Sequence, residues 1–340
     1  MRKRSGLNGH TILLLITIAL FIVLYAGGCL ASGSKGSTHL QTFLNILITN
    51  AGLICVACGL TVVMLTAGID ISVGALIAMD CMMLAVGMRS GIGAVPMMLI
   101  VLLVGVAFGT FQGFLIGYLE IQPFIVTMAG MFFCRGMTAV ICTDQVSITQ
   151  EINATFYKLA NMKINIPFGG YTNKKGMYMT PYIRITVVVA LLVLLAVFLL
   201  LRHTRFGRSL YAVGGNAQSA AMMGLNVKSI RMRAHMLCSV LASIGGICYC
   251  LNTMAGSVSQ ALGLEMDAIS SAVIGGTLLT GGVGNVFGSF FGVLINGTIS
   301  SIVKTNGKLA SSWPNILTAL LLFVFIVIQS IFAAVRTRKK

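Results

Sequence analysis

Long apolar runs alternate with short polar breaks along nearly the whole chain. A helix needs about 20 apolar residues to cross the hydrocarbon core of a bilayer, and ten runs are close to that length. They are Thr11–Leu30, Phe43–Thr66, Ile71–Met88, Ala94–Tyr118, Phe124–Cys142, Tyr182–Leu201, Ala234–Leu251, Ala268–Gly284, Val286–Val303 and Trp313–Val335. The pattern predicts an all-α polytopic membrane protein with about ten transmembrane helices, in which residues 1–340 form a single transmembrane domain.

Composition agrees with this prediction and excludes a soluble globular protein. Of the 340 residues, 57% are hydrophobic and 9% are charged, whereas soluble domains carry about 25% charged residues. The net charge is +16, and the basic residues concentrate at Arg2–Arg4, between Arg202 and Arg233, and from Arg336 to Lys340. An even number of spans places these groups on one side. The positive-inside rule then predicts two cytoplasmic termini in a bacterial inner membrane, with the charge facing anionic lipid rather than nucleic acid.

The nine cysteines do not indicate a metal or redox site. Nearly all of them fall inside predicted spans, where Cys behaves as a small apolar residue. Cys55-x-x-Cys58 has the spacing of a redox or metal motif, but neither a second pair nor a nearby His accompanies it. We therefore expect no metal site.

A polar, basic and Gly-punctuated segment, Thr204–Val227, interrupts the apolar chain. Gly214-Gly215-Asn216 predicts a turn that leads into a short helix, Ala217–Met223, which Gly224 ends as a C-cap. A lone surface helix flanked by cytoplasmic charge is suited to docking a soluble partner. An ordinary loop between two spans is the alternative on spacing alone.

Asp70 and Arg135 are charged residues at membrane depth. The break after the second span carries Asp70 and Ser72, and Asp70 must line a cavity or cap the third span together with Ser72. Both roles remain open. Arg135 lies inside the fifth span, which Pro123 begins as a first-turn proline, and its guanidinium must contact an acid, a carbonyl or water.

Residues 143–181 form the one long polar loop, which parity places on the periplasmic side. Within it, Glu151–Met162 has the pattern of a short amphipathic helix on the membrane surface. A loop of this length is typical of a lid or a docking surface, and the sequence does not distinguish the two.

Glycines recur every fourth residue in the fourth and ninth spans, which predicts close helix packing along each bare face. The two sets are Gly105, Gly109, Gly113 and Gly117, and Gly284, Gly288 and Gly292. Gly109–Ile116 also aligns with Gly288–Ile295, and Gly68–Ser72 resembles Gly263–Asp267. Matching spans that lie five apart have opposite orientations, so the chain is predicted to contain two inverted repeats with a translocation pathway between them.

Several motifs resemble those of the ribose/monosaccharide family of bacterial ABC importer permeases. They are Thr66-x-Gly-Ile-Asp-Ile-Ser-Val-Gly74, Pro123-Phe-Ile-Val-Thr127 leading to Arg135-Gly136, Thr204-Arg-Phe-Gly-Arg208, Tyr211-Ala-Val-Gly-Gly-Asn216, and Glu265-Met-Asp-Ala-Ile269 with Ile274-Gly-Gly276. The resemblance runs from about Ile46 to Val335, and within the family the chain is most similar to galactofuranose permease subunits. Ala67 and Ile71 depart from the family pattern, which often has Gly and Leu there.

The resemblance implies a set of partners that this chain does not itself contain. They are an ABC ATPase, a periplasmic sugar-binding protein and a second permease subunit, identical or paralogous. The residues that contact the ATPase are then expected to be Gly214, Gly215, Asn216, Ala217, Ala220, Ala221 and Gly224. The chain has no Gly-x-x-x-x-Gly-Lys-Ser/Thr loop, so ATP and Mg²⁺ are expected on the ATPase, with no cofactor and no catalytic residue here.

These observations predict a transport subunit that moves a monosaccharide of the galactofuranose, ribose or galactose type. The expected substrate pathway contains Asp70, Phe124, Thr127, Arg135, Glu265 and Asp267. An ion-coupled secondary transporter built on the same repeat is the alternative. A membrane enzyme is less well supported, because the four histidines are scattered along the chain.

Overall fold

The computed structural model describes residues 9–31, 40–172, 178–306, 310 and 312–337. Arg2–Arg4, Ser311 and the last three residues of the basic tail therefore lie outside the described residues. The helices are α1 (Gly9–Ala31), α2 (Leu40–Thr49), α3 (Ala51–Leu65), α4 (Val73–Arg89), α5 (Ala94–Gly117), α6 (Pro123–Ile141), α7 (Ala154–Ala160), α8 (Ile185–His203), α9 (Arg205–Gly215), α10 (Ala217–Met222), α11 (Val227–Thr253), α12 (Leu264–Ile274), α13 (Val286–Asn306) and α14 (Trp313–Thr337).

The chain is a mostly helical, multi-pass membrane protein. Among the described residues, five helices are long and apolar enough to cross a membrane, namely α5, α6, α8, α11 and α13, and the bent pair α2–α3 makes a sixth. Shorter apolar helices cover Leu14–Leu30 and Trp313–Ile328. The predicted count of ten differs from this number partly because α4 and α12 have only 17 and 11 residues.

The predicted second span is two helices rather than one. α2 and α3 meet at an angle of 57°, and Asn50 stands between them as the N-cap residue of α3. Its amide Nδ2 donates to the carbonyl of Ile46 at 2.8 Å. The polar pair Thr49-Asn50 thus marks a break inside an otherwise apolar run.

The predicted eighth span, Ala268–Gly284, ends as a helix at Ile274. The following turn uses left-handed backbone at Gly276, Gly281 and Gly282, with φ of 89°, 83° and 73°. Glycine adopts such angles without a steric penalty, so the last ten residues of the predicted span form a turn instead of a helix.

The spaced glycines of α5 lie against α11 along its length. A Cβ atom at Gly109 would lie 2.6 Å from Cβ of Ser239. At Gly113 and Gly117 a Cβ would collide with the backbone carbonyls of Met232 and Lys228. The two helices therefore approach backbone to backbone, as small residues allow in a membrane.

Gly288 and Gly292 of α13, and Gly284 just before it, pack in a similar way against α12 and the turn that follows α12. A Cβ at Gly288 or Gly292 would collide with the carbonyl of Gly275 or Ser271, and one at Gly284 would lie 2.8 Å from Cγ2 of Thr277. Every residue of α3 is buried, and α3 packs against α11, α12 and α13. The core of the molecule thus surrounds α3.

The long loop 143–181 contains short antiparallel pairs of strands. Its strands are β1 (Val146–Ser147), β2 (Lys163–Asn165), β3 (Tyr171–Thr172) and β4 (Tyr178–Met179), and β5 (Tyr182–Arg184) and β6 (Ala255–Gly256) follow it. β1 pairs with β6, β2 with β5, and β3 with β4. The helix predicted at Glu151–Met162 is the shorter α7, whose N-terminus is capped by the side chain of Asn153. The loop is thereby joined to the segment that follows α11.

Candidate functional site

Two short helices, α9 and α10, form a surface at one end of the bundle, which we call the α9–α10 surface. Thr204 caps α9 by accepting a hydrogen bond from the Gly207 amide at 3.0 Å. Asn216 caps α10 in the same way, accepting from the Ser219 amide at 2.8 Å. Gly224 follows α10 with φ of 84°. The short helix and its two ends agree with the sequence prediction.

The predicted turn at Gly214-Gly215-Asn216 is limited to one residue in the structure. Gly214 and Gly215 belong to the last turn of α9, and only Asn216 has an extended conformation. The sequence analysis did not predict α9. Its signal was the capping residue Thr204 followed by apolar residues at helical spacing, Phe206, Leu210 and Val213, with arginines between them.

The exposed part of the α9–α10 surface contains both apolar and basic residues. Met222 and Met223 are 84% and 71% exposed, and Ala221 beside them is also exposed. Ala220 is buried, and Ala217 is half-buried against the bundle. Arg205 and Arg208 in the first turn of α9 are exposed, as are Lys228 and Arg233 near the start of α11.

Beneath this surface, three backbone segments meet without intervening side chains, at a contact we call the backbone joint. The amide of Gly282 donates to the carbonyl of Leu65 at 3.0 Å. A Cβ atom at Gly214 would collide with both of these groups, whereas one at Gly215 would meet nothing within 4 Å. The joint thus connects α9 to the end of α3 and to the turn between α12 and α13.

Tyr211 adds a side-chain contact to the joint. Its hydroxyl donates to the carbonyl of Gly284 at 3.0 Å. Burial of the ring raises the pKa of this hydroxyl, so it remains a neutral donor at physiological pH. α9 is therefore attached to the turn by both backbone and side-chain contacts.

A buried polar cluster lies next to the end of α3. Oδ1 of Asp70 accepts from the amide and the hydroxyl of Ser72, at 3.0 and 2.6 Å. Oδ2 lies 3.8 Å from Nδ1 of His235 on α11. The hydroxyl of Ser72 also lies 3.3 Å from Oε1 of Gln112, and Thr127 lies 3.3 Å from the carbonyl of Ile69. Asp70 thus binds Ser72, the residue that precedes α4, but the N-terminus of α4 has no side-chain cap.

A cleft of about 210 Å³ lies beside this cluster, between the residues that follow α3 and the turn from Glu120 to Pro123. His235 and Arg231 form part of its wall. Two further lining residues, Ala67 and Glu120, have left-handed backbone with φ of 61° and 57°. Such angles are costly for residues other than glycine and cluster at functional sites.

Arg135 holds the segment that leads into α12. Its guanidinium donates to the carbonyls of Val258, Gln260 and Ala261, at 3.3, 2.6 and 3.2 Å. Glu265 lies in the first turn of α12, where a Cβ at Gly74 would collide with its Oε2 atom. The beginnings of α4 and α12 therefore touch each other inside the bundle.

The predicted pathway residues lie in two neighbouring groups. Asp70 and Thr127 belong to the cluster at the start of α4, whereas Arg135 and Glu265 lie around the segment before α12. Phe124 is 50% exposed on α6. The contacts of Asp267 include its backbone carbonyl, which accepts from Asn296 at 3.2 Å.

Two buried residues were missed by the sequence analysis. Asp80 on α4 is fully buried, and neither carboxylate oxygen has a hydrogen-bond partner among the described residues. An acid within an apolar run was a sufficient signal for it. His235 was set aside as scattered, because nothing in the sequence indicates that it meets Asp70.

Comparison with known proteins identifies relatives that match most of this chain. The family model described as "Branched-chain amino acid transport system / permease component" matches residues 42–328. The inner membrane ABC transporter permease protein YjfF of Escherichia coli (strain K12) is 41% identical over 318 residues, which are 93% of this chain and 91% of that protein.

Two further relatives have names that state what they import. The fructose import permease protein FruG of Bifidobacterium longum (strain NCC 2705) is 33% identical over 339 residues, covering 100% of this chain and 96% of that protein. The ribose import permease protein RbsC of Escherichia coli (strain K12) is 30% identical over 291 residues, covering 86% of each. No solved structure shows a significant match.

Proposed function

This chain belongs to the family of transport-system permease components, and from that premise we propose that it is the membrane subunit of an ATP-driven monosaccharide importer. The resemblance indicated by its motifs is confirmed, and as a family member the chain is a transport subunit rather than an enzyme. The proposed substrate is a monosaccharide of the galactofuranose, ribose or galactose type, since two relatives are named for importing fructose and ribose. Transport would run inward across the bacterial inner membrane.

The observation that carries the proposal is the α9–α10 surface. An exposed pair of methionines on a short, capped helix is suited to insertion into an apolar groove of a partner. The basic residues around it favour a groove with an acidic rim. We assign this groove to an ABC ATPase, which would bind ATP and Mg²⁺ in place of this chain.

The pairing of helices supports an inverted repeat that relates α3–α6 to α11–α14. α5 packs on α11, and its counterpart α13 packs on α3. α4 contacts α11 and α6, while α12 contacts α3 and α14. Equivalent neighbours in both halves favour two halves of opposite orientation, with ten spans and both termini on the cytoplasmic side.

The backbone joint suggests how ATP hydrolysis reaches the membrane. A displacement of α9 would move the end of α3 and the α12–α13 turn together, because Gly214 leaves no gap between them. One of these segments precedes α4 and the other follows α12. The two helices whose beginnings touch would thereby be moved by a single docking event, opening a path near Asp70, Thr127, Arg135 and Glu265.

The opposite end of the bundle is the proposed contact for a periplasmic sugar-binding protein. The loop 143–181 lies there with its paired strands. A second permease subunit, identical or paralogous, would complete the membrane part of the importer. Its interface is assigned to helices with exposed apolar faces, such as α6 and α14.

Copurification tests the docking claim. The chain is purified from its native membrane with Met222 and Met223 both changed to Asp, and the recovered ATPase is quantified. We expect at least a tenfold loss of ATPase, because charged side chains oppose burial in an apolar groove. Met162→Asp, which alters an exposed methionine (50%) in the loop 143–181, serves as the matched control and leaves recovery unchanged. Equal recovery from both variants would remove the docking claim.

Gly215 provides a second test of the same surface. A Cβ atom at this position would meet nothing within 4 Å, so we expect Gly215→Trp to leave the fold intact while placing bulk where the ATPase is proposed to dock. Sugar uptake falls, and the amount of chain in the membrane does not change.

The ion-coupled carrier remains the rival candidate, and the unpartnered Asp80 is the observation that favours it. Asp80→Asn keeps the shape of the side chain and removes its ionisable group. Unchanged ATP-driven uptake supports the importer. The carrier is supported if wild-type uptake depends on a proton or sodium gradient and Asp80→Asn abolishes that uptake.

A further inference from the structure

A polar cleft lies at the end of the bundle opposite the α9–α10 surface. Its volume is about 330 Å³, within the range of about 300–1,000 Å³ that small-molecule pockets occupy. α2 and α13 form its walls. Its lining consists of Asn45, Ile46, Thr49, Asn50, Gly297, Ser300, Ser301, Lys304 and Thr305.

Both walls present hydroxyl and amide groups at helical spacing. Asn45 and Thr49 lie one turn apart on α2, and Ser301 and Thr305 lie one turn apart on α13. Polar stripes of this kind are unfavourable against lipid. Their convergence from two helices indicates that the cleft contains water or a polar ligand.

The cleft reaches well below the surface of the membrane domain. Gly297 lies nine residues before the end of α13, which corresponds to about 14 Å of helix. A Cβ there would lie 2.5 Å from Nδ2 of Asn50, the residue at the bend between α2 and α3. The floor of the cleft is thus a broken helix, the element that forms substrate sites in other membrane transporters.

Several groups in the cleft are open to a ligand. The hydroxyls of Thr49, Ser300 and Ser301 donate to no other group within the described part of the chain. Lys304 is exposed and pairs with none of the carboxylates that the structure describes. Hydroxyls, amides and one ammonium match the alternating donors and acceptors of a neutral sugar.

We propose that this α2–α13 cleft is the site at which the membrane subunit first holds its monosaccharide. The inference rests on the proposed function, since it locates the substrate of that importer. It adds a binding site outside the residues assigned to the pathway near Asp70 and Arg135. A sugar released at this end of the molecule would enter the cleft before α4 and α12 separate.

The test uses the complete importer, with its ATPase and binding protein, in proteoliposomes supplied with radiolabelled ribose, fructose and galactose. Thr49→Val and Ser300→Ala each remove one hydroxyl and almost no volume. We expect each to slow uptake about two- to tenfold, and the two together to slow it more than tenfold. Thr110→Val, the same exchange on α5 where the hydroxyl donates to its own helix, leaves uptake unchanged.

A second measurement separates sugar binding from a structural effect. ATP hydrolysis stimulated by the sugar-loaded binding protein remains near the wild-type rate in both variants, and Thr49→Ser restores uptake. Normal uptake by the double variant would overturn the site. The site would also be overturned if only Lys304→Gln slowed uptake and the size of this effect varied with the anionic lipid content of the liposomes. That result would indicate that the cleft binds a lipid headgroup. Wild-type proteoliposomes that take up none of the sugars would instead count against the proposed function.

Discussion

The two ends of this membrane domain are built in opposite ways. At the α9–α10 end, Leu65, Gly214 and Gly282 meet through their backbones, and no space remains for even one methyl group. At the other end, α2 and α13 stand apart around a polar cleft of about 330 Å³. Close-packed contacts transmit displacement, because they cannot absorb it. The comparison agrees with our proposal that force enters at one end and substrate at the other.

The largest effect is expected from filling the backbone joint. Gly214→Ala introduces a methyl group where two backbone groups already meet, and overpacking of this kind costs about 1–3 kcal/mol or more. We expect sugar uptake to fall more than tenfold. Gly215→Ala is the matched control, because its methyl group projects into open space and alanine stabilises a helix by about 0.5–1 kcal/mol relative to glycine.

Uptake and complex yield are measured together for this pair. A loss of transport in Gly214→Ala with the ATPase still bound assigns the defect to transmission. Equal uptake by the two variants would show that the joint transmits nothing.

A smaller effect is expected from changing Arg135, which holds the segment before α12 in place. Arg135→Lys keeps the charge, but a single ammonium cannot reproduce the fork that contacts three carbonyls. Hydrogen bonds from charged groups contribute about 1.5–3 kcal/mol, so uptake is expected to decrease about tenfold. Arg89→Lys, at the exposed end of α4, is the control. Wild-type uptake by Arg135→Lys would mean that the position of the segment before α12 does not limit transport.

Loss of the cap on α10 should weaken docking only moderately. Asn216→Ala removes the side chain that accepts from the Ser219 amide, at a cost of about 1 kcal/mol. Titration of the purified ATPase onto the variant should give an affinity about fivefold lower. Asn216→Asp preserves the acceptor and should restore most of the affinity, so equal weakening in both variants would contradict a capping role.

The smallest effect is expected at the surface ion pair near the α9–α10 end. Glu120 and Lys228 are 3.2 Å apart, with side chains 66% and 53% exposed. Exposed pairs contribute about 0–1 kcal/mol because water and salt screen them. Glu120→Gln should leave uptake and melting temperature unchanged, and a large loss would indicate that this pair takes part in coupling.

Local patterns predicted the parts of this molecule that depend on local chemistry. Pro123 begins α6, α10 begins at Ala217, and Gly224 follows α10 with left-handed backbone. Each of these features is decided within one turn of helix. Apolar runs likewise located most of the long helices to within a few residues.

The parts that depend on distant contacts could not be predicted. Asp70 and His235 are far apart in sequence, and only the packing of α3 and α4 on α11 brings them together. The bend at Asn50 and the early end of α12 were missed because the surrounding residues are apolar enough to continue a span. Polar positions one turn apart, such as Ser301 and Thr305, are a signal of the cleft that the sequence analysis did not use.

The most direct measurement is sugar uptake by proteoliposomes that contain this chain with and without its ATPase and binding protein. The account predicts uptake only when the ATPase, the binding protein and ATP are all present. Collapsing the proton and sodium gradients should not change this uptake. Uptake by this chain alone, abolished when such a gradient is removed, would contradict the central claim that the α9–α10 surface couples transport to ATP hydrolysis.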